Sequence, residues 1–162
     1  MSAGRHIPRP PEPVPGAPAP LRRTLVRTVH FYEVDSMGIM WFGNYCRMMD
    51  EAGAHLRAMC GLSYDDFRRE GIMAPVKRME VDYKLPLVLG ERAEIVASMP
   101  WNEAMRIDTE FTIHKQDGRV AATGWMVQLL ASAPDMAPIY VETPLIARIR
   151  ERWRRGEFLE CQ

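Results

Sequence analysis

The sequence predicts an α+β domain in which a five-stranded antiparallel sheet wraps one long helix. Three observations carry this. Apolar residues recur at steps of three and four between residues 44 and 60, a helical period. One strand-like run precedes that helix and four follow it, joined by short turns. The expected order is therefore β-α-β-β-β-β, one sheet covering one helix.

The first strand is expected over residues 24–32, TLVRTVHFY, a run rich in β-branched and aromatic side chains. In the helix, Tyr45, Met49, Ala52, Leu56 and Met59 form the apolar seam, and Gly61 stands where a C-terminal cap belongs. A short helical segment is expected over residues 63–70. Strands follow over 77–85, 91–99, 104–115 and 119–131. The third of these is the clearest, because Met105, Ile107, Thr109, Phe111 and Ile113 alternate with polar residues, and Asp117-Gly118 supplies the hairpin turn after it. Consecutive strands on short turns are expected to pair antiparallel. The chain should close with an amphipathic helix beginning near Pro144, whose basic run Arg148 to Arg155 is either a solvated face or a phosphate contact.

Seven of the thirteen prolines fall in residues 1–20, among few large apolar side chains. Such a stretch cannot bury enough surface to offset its ordering entropy, so 1–20 is expected to be a disordered tail, or else a polyproline docking segment. The domain proper is expected over 21–157, with a short tail at 158–162.

Lys and Arg total 21, as do Asp and Glu, so no net field gathers nucleic acid or anionic lipid. Cys46, Cys60 and Cys161 lack C-x-x-C spacing, which argues against a disulfide framework or a structural zinc and for a reducing cytoplasm. No apolar run approaches the roughly 18–20 residues needed to cross a bilayer. Neither membrane insertion nor a cofactor is expected.

Chemistry concentrates in Asp35-Ser-Met-Gly-Ile-Met-Trp-Phe-Gly-Asn-Tyr45, followed by Arg47, Asp50, Ala52 and Cys60-Gly61-Leu62. Read from residues alone, Asp35 is either a turn residue or a catalytic carboxylate. The pattern resembles the 4-hydroxybenzoyl-CoA thioesterase family and the related Tol-Pal-type acyl-CoA thioesterases, densely over 31–62 and more weakly to about 155. The resemblance implies the hotdog fold and hydrolysis of an acyl thioester carried on coenzyme A or an acyl carrier protein. It implies that Asp35 attacks the carbonyl carbon or deprotonates a water, while the Phe42 backbone N–H at the helix start polarises the carbonyl. It also implies a dimer or tetramer, with each site completed by a partner copy.

The same resemblance places Gly38, Gly43, Asn44, Tyr45 and Asp50 around the substrate. Each has a plainer reading. Gly38 lets the loop turn, Asn44 caps the helix, Tyr45 packs and Asp50 is a solvated helical carboxylate. Glu51 and His55 form a surface i, i+4 pair, and His30 and His114 have no nucleophile near them in sequence. Met37, Met40, Met48, Met49, Met73 and Met79 either line an adaptable pocket or fill the core.

Two departures stand out. Phe42 occupies a position where many relatives carry His. After Trp101 the chain reads Asn102-Glu103-Ala104, without the basic cluster that holds nucleotide phosphates in the aromatic-acyl enzyme, which leaves Lys77, Arg78, Lys84 or Lys115 for that task. The competing expectations are a hotdog dehydratase or polyketide-processing enzyme, and a non-catalytic acyl-binding scaffold.

Overall fold

The computed structural model describes residues 14–158. Its elements in chain order are β1 (Leu21–Thr28), a single 3-10 turn (Phe31–Glu33), α1 (Gly43–Met59), α2 (Tyr64–Arg69), β2 (Ile72–Met73), β3 (Val76–Tyr83), β4 (Arg92–Met99), β5 (Arg106–His114), β6 (Val120–Leu129), β7 (Ala131–Ser132) and α3 (Pro144–Arg154). Five strands form one antiparallel sheet in the order β1-β4-β5-β6-β3, while β2 and β7 make a two-residue ribbon. Among the described residues no helix is long and apolar enough to cross a membrane.

Helix α1 lies in the concave face of the sheet because its seam is apolar. Met48, Met49, Ala52 and Leu56 are fully buried against strand residues such as Ile95, Phe111, Ile113 and Met126. Each large side chain so placed contributes about 1.5–3 kcal/mol relative to exposure. Of the expected methionine lining, Met40, Met48 and Met49 are core filling, and Met37 is exposed. Along β5, Ile107, Thr109, Phe111 and Ile113 turn inward as the alternation requires.

Five expectations need correction. The first strand starts at Leu21 and ends at Thr28, because Phe31–Glu33 turns away from the sheet to reach α1. Strands β3 and β4 follow one another in sequence but do not pair, since β3 lies beside β6 at the far edge and β4 lies between β1 and β5. The eight residues 84–91 span up to about 26 Å, enough to cross one end of the curved sheet. The polar face of β5 is not all solvated. Asp108 is fully buried and accepts from Trp125 Nε1 at 3.2 Å and Arg106 Nε at 2.8 Å. Finally, the segment expected as a tail is docked where it is described. Ala17 packs on the core, and Trp153 Nε1 donates to the Ala19 carbonyl at 2.9 Å. Residues 1–13, and with them the docking prolines Pro8, Pro10, Pro11 and Pro13, lie outside the described residues. At the other end Phe158 is buried beneath the Arg152 guanidinium, so the fold includes it.

Helix α2 begins with a capping box, Ser63 Oγ accepting from the Asp66 amide and Asp66 accepting from the Ser63 amide. The Ser63 hydroxyl, which also donates to the Asp66 carboxylate, and then the Ser63 amide hold that carboxyl below its ordinary range. Helix α3 has Thr143 as its cap and Pro144 in its first turn. Its basic run is largely taken up locally: Arg148 faces Glu70, Arg150 faces Glu142, Arg152 faces Glu157 and Arg155 faces Glu151.

Burial pushes the Cys60 thiol from 9.0 up to about 12 and raises the Tyr45 hydroxyl as well. Both groups are neutral below their ordinary values, so their contribution is complete below pH 9. The Cys60 contribution is lost as pH rises from 9 through about 12, where the unfolded chain ionises first, and that of Tyr45 declines above its ordinary value of 10.0. Urea titrations across that window should show stability falling by up to about 1.4 kcal/mol per pH unit for each such group. Cys60→Ala should make the decline shallower. In the core, Leu56→Ala should cost about 3 kcal/mol in the same assay at neutral pH.

Candidate active site

The loop from Glu33 to Phe42 is a short hairpin built on its first residue. Glu33 is 2% exposed, and its carboxylate takes Arg27 of β1 and the His30 amide. Its carbonyl takes two donors at 2.9 Å, the Trp41 amide and Asn44 Nδ2. Arg27 also reaches Glu51 of α1 at 3.1 Å, so the expected Glu51–His55 surface pair gives way to a bridge between β1 and α1. Glu33 thereby ties strand, turn and helix at one point. Nothing in the local pattern marked it, although an acid two residues ahead of Asp35 and an arginine on the preceding strand were both visible.

Asp35 sits at the tip of this hairpin. Its backbone exchanges bonds with Ile39 and Gly38, and its Oδ1 accepts from the amides of Met37 at 2.8 Å and Ile39 at 3.2 Å. Oδ2 has no partner among the described residues, and the side chain is exposed. The carboxylate is thus fixed through one oxygen and open at the other. Gly38 permits the turn with φ +73°, a conformation that L side chains rarely adopt.

The other leg of the hairpin runs into α1. Phe42 already has helical dihedrals, and no side chain caps this helix. The first amides of a helix have no intrahelical acceptor and carry partial positive charge. Here no side chain occupies them. Asn44, expected as a cap, instead points inward to Glu33 and is buried. A Cβ at Gly43 would lie 2.0 Å from the half-exposed Trp41 ring, which would have to swing aside to admit it. Trp41 and Phe42 stand together with ring centroids 4.9 Å apart.

Tyr45 packs rather than facing outward. Its hydroxyl accepts from the Leu87 amide at 3.0 Å, and its ring meets Tyr83 edge-on. Tyr83 in turn donates to the Phe42 carbonyl at 3.0 Å. The 84–91 crossing is therefore a platform for the site: Leu87 also accepts from the Met40 amide, and the Leu89 amide donates to Gly38. Sequence reading missed Leu87 and Tyr83 because their role depends on that crossing.

The structure brings Asp35, Gly38, Phe42 and Gly43 to one end of α1, with Asn44 and Tyr45 supporting them from within. Asp50 lies about two turns further on, roughly 12 Å along the helix, half-exposed and 3.5 Å from Arg57 Nη2. The candidate phosphate contacts divide. Lys115 is held by Glu91 at 2.8 Å and Arg78 lies against Glu80, whereas Lys77 and Lys84 are exposed. Asn102 is committed to Asp108 and the Ala104 amide. His114 contacts the Gly118 carbonyl in its own turn, and His30 stacks on Tyr32.

A family profile described as the thioesterase-like superfamily matches residues 29–133. The chain is 25% identical over 134 residues to a 1,4-dihydroxy-2-naphthoyl-CoA hydrolase of Thermosynechococcus vestitus, covering 82% of this chain and 91% of the relative. Among solved structures, a DHNA-CoA thioesterase from Staphylococcus aureus superposes with TM-score 0.75 at 21% identity, over 86% of this chain and 93% of that one. A gentisyl-coenzyme A thioesterase superposes with TM-score 0.67 at 25% identity, over 78% and 99%. Sheet, enclosed helix and the family match define a hotdog-fold thioesterase. The chain belongs to the thioesterase-like superfamily.

Replacing Glu33 by Ala removes one partner of a buried ion pair and should cost about 3–5 kcal/mol by urea denaturation. Tyr45→Phe leaves the buried Leu87 amide without its acceptor and should cost about 1–3 kcal/mol.

Proposed function

We propose that Asp35 is the catalytic carboxylate, with the Phe42 and Gly43 amides holding the carbonyl oxygen of the thioester. The observation that carries this is the pairing of a carboxylate with one free oxygen and an uncapped helix start, joined by one hairpin. As the carbonyl carbon becomes tetrahedral its oxygen gains negative charge, which preorganised amides stabilise by about 3 kcal/mol per donor. Oδ2 either attacks the carbon or takes a proton from the attacking water. No side chain at position 42 is needed for these steps, so Phe42 in place of His is compatible with them.

The acyl group is proposed to be a hydroxylated aromatic, as in the naphthoyl-CoA named for the relative. The thiol carrier is coenzyme A, with an acyl carrier protein as the second candidate, and the compartment is the cytoplasm. Gly38 and Gly43 bring backbone close to the thioester, while Asn44 and Tyr45 hold the helix start.

A second copy is proposed to complete the site. Strand β3 is an unpaired edge. Phe31, Tyr32, Met37, Trp41 and Phe42 leave a large apolar surface around Asp35, with Phe31 80% and Met37 75% exposed. Antiparallel pairing of two β3 edges around a two-fold axis would cover both edges and extend the sheet.

Asp35→Asn should lower kcat on acyl-CoA by at least about a hundredfold while leaving the circular dichroism unchanged. Full activity in that variant would remove Asp35 from the chemistry. In single-turnover hydrolysis in oxygen-18 water, label in the Asp35 carboxylate requires an anhydride opened by water at the Asp35 carbonyl, whereas direct attack of water on the thioester labels the product acid alone. Sedimentation velocity should show a dimer or tetramer, and a stable active monomer would contradict the shared site.

A further inference from the structure

The outer face of the sheet, turned away from α1, carries a depression of about 240 Å³ across β3, β6 and β5. The register of the strands defines it. Glu80, Trp125 and Glu110 lie in one row across the three strands, and Asp82, Thr123 and Thr112 lie in the next. These side chains point outward, since the alternate positions face the helix: a Cβ at Gly124 would meet Met49 of α1, and Phe111 belongs to the core. Trp125 is the buried floor, with its Nε1 committed to Asp108.

The carboxylates of this notch are unevenly met. Glu80 lies against Arg78. Asp82 and Glu110 are exposed, and among the described residues no cation lies within ion-pair distance of either. They stand on opposite sides of the notch. Two strand spacings and a two-residue step separate them, a distance of about 12 Å between Cα atoms.

The segment ahead of the described residues is complementary to this pair. Residues 1–13 read MSAGRHIPRPPEP, with Arg5 and Arg9 against a single acid, Glu12. In the polyproline helix that its prolines favour, a rise of about 3.1 Å per residue sets Arg5 and Arg9 about 12 Å apart, the span of the two acids. With three residues per turn, positions 5 and 9 leave such a helix on different flanks, as acids on opposite walls require.

The described backbone directs the segment toward the sheet. Val14–Ala17 is a turn closed by the Ala17 amide on the Val14 carbonyl at 2.9 Å, with Gly16 at φ +78°. The chain reverses there, so what precedes Val14 runs back alongside the approach to β1. Glu110 is level with Arg22 through Ser98, two strands or about 10 Å from β1. Residues 9–13 span up to about 17 Å. Arg9 is therefore the residue within reach of Glu110, and Arg5 the one that falls on Asp82 beyond it.

We propose that residues 1–13 dock across this notch of their own chain, Arg9 pairing with Glu110 and Arg5 with Asp82, with Ile7 and Pro8 laid over the β6 residues between them. The docking is independent of the thioester chemistry at the start of α1. Two exposed ion pairs favour it by about two- to thirtyfold, and salt screens that gain.

The test uses the full chain carrying Arg5→Lys and Arg9→Lys, which places amines at the two positions. A carbodiimide joins an amine only to a carboxylate that it touches, and peptide mass spectrometry locates the bond. Links from position 5 to Asp82 and from position 9 to Glu110 are expected at low salt, and should fall at least about twofold in about 1 M salt. Glu110→Gln should weaken the link at Asp82 as well, because both pairs hold one segment. In the chain with its native arginines, trypsin should cut the Arg5–His6 bond at least about twofold more slowly than in Asp82→Asn/Glu110→Gln, whose substitutions are exposed and leave the fold intact.

Links scattered over other carboxylates, or none at Asp82 and Glu110, overturn the proposal, as does equal cleavage by trypsin. Refolding a mixture of unlabelled and nitrogen-15 chains before cross-linking separates the same chain from a neighbour. Linked peptides of a single label support docking within the chain, and peptides of mixed label overturn it.

Discussion

The buried carboxylate and carbonyl of Glu33 are the constraint on which the site depends. One residue receives a guanidinium from β1, an amide from the turn before it, an amide from the far leg of the hairpin and the side-chain amide of Asn44 in α1. A carboxylate withdrawn from water to 2% exposure is tolerable only with such compensation. The consequence is geometric. Because Glu33 clamps both legs, it ties the hairpin that carries Asp35 to the first turn of α1.

That clamp explains how an exposed loop can serve as precise machinery. The Asp35 side chain is exposed, yet Oδ1 is fixed by two amides of its own turn, and the turn is seated on the 84–91 crossing through Leu87 and Leu89. The helix start is similarly prepared. Asn44 gives its side chain to Glu33 rather than to the first amides, so these remain unoccupied by side chains. A capped helix would be more stable by about 1 kcal/mol and less able to receive an oxyanion.

What could be read in the sequence followed from periodicity. The seam of α1, the alternation of β5 and the Asp117-Gly118 turn are local signals, and all three elements appear where expected. Asp35, Gly38 and Phe42 stood out as candidates because several rare choices coincide over eleven residues. The strand order was not, because β3 and β4 are neighbours in sequence and strangers in the sheet. With that crossing went Leu87, Tyr83 and the packing role of Tyr45. Buried Asp108 was hidden for a related reason: its polar face is covered by Trp125 and Arg106, which come together only once β5 and β6 pair.

Arg57 marks the limit of pattern reading most clearly. On a helical wheel it falls near the polar flank, and its charge would ordinarily be solvated. The fold instead lays its guanidinium over Gly53, where a Cβ would come within 3.0 Å of Nη1, so a small residue four positions earlier makes the burial possible. Elsewhere the chain meets the needs of its buried charges internally, as Glu33 and Asp108 show. Arg57 has only a 3.5 Å contact with a half-exposed aspartate. Nη1 is itself buried and without a partner among the described residues, so this charge is carried at a cost in stability, where the two carboxylates are each offset by several donors.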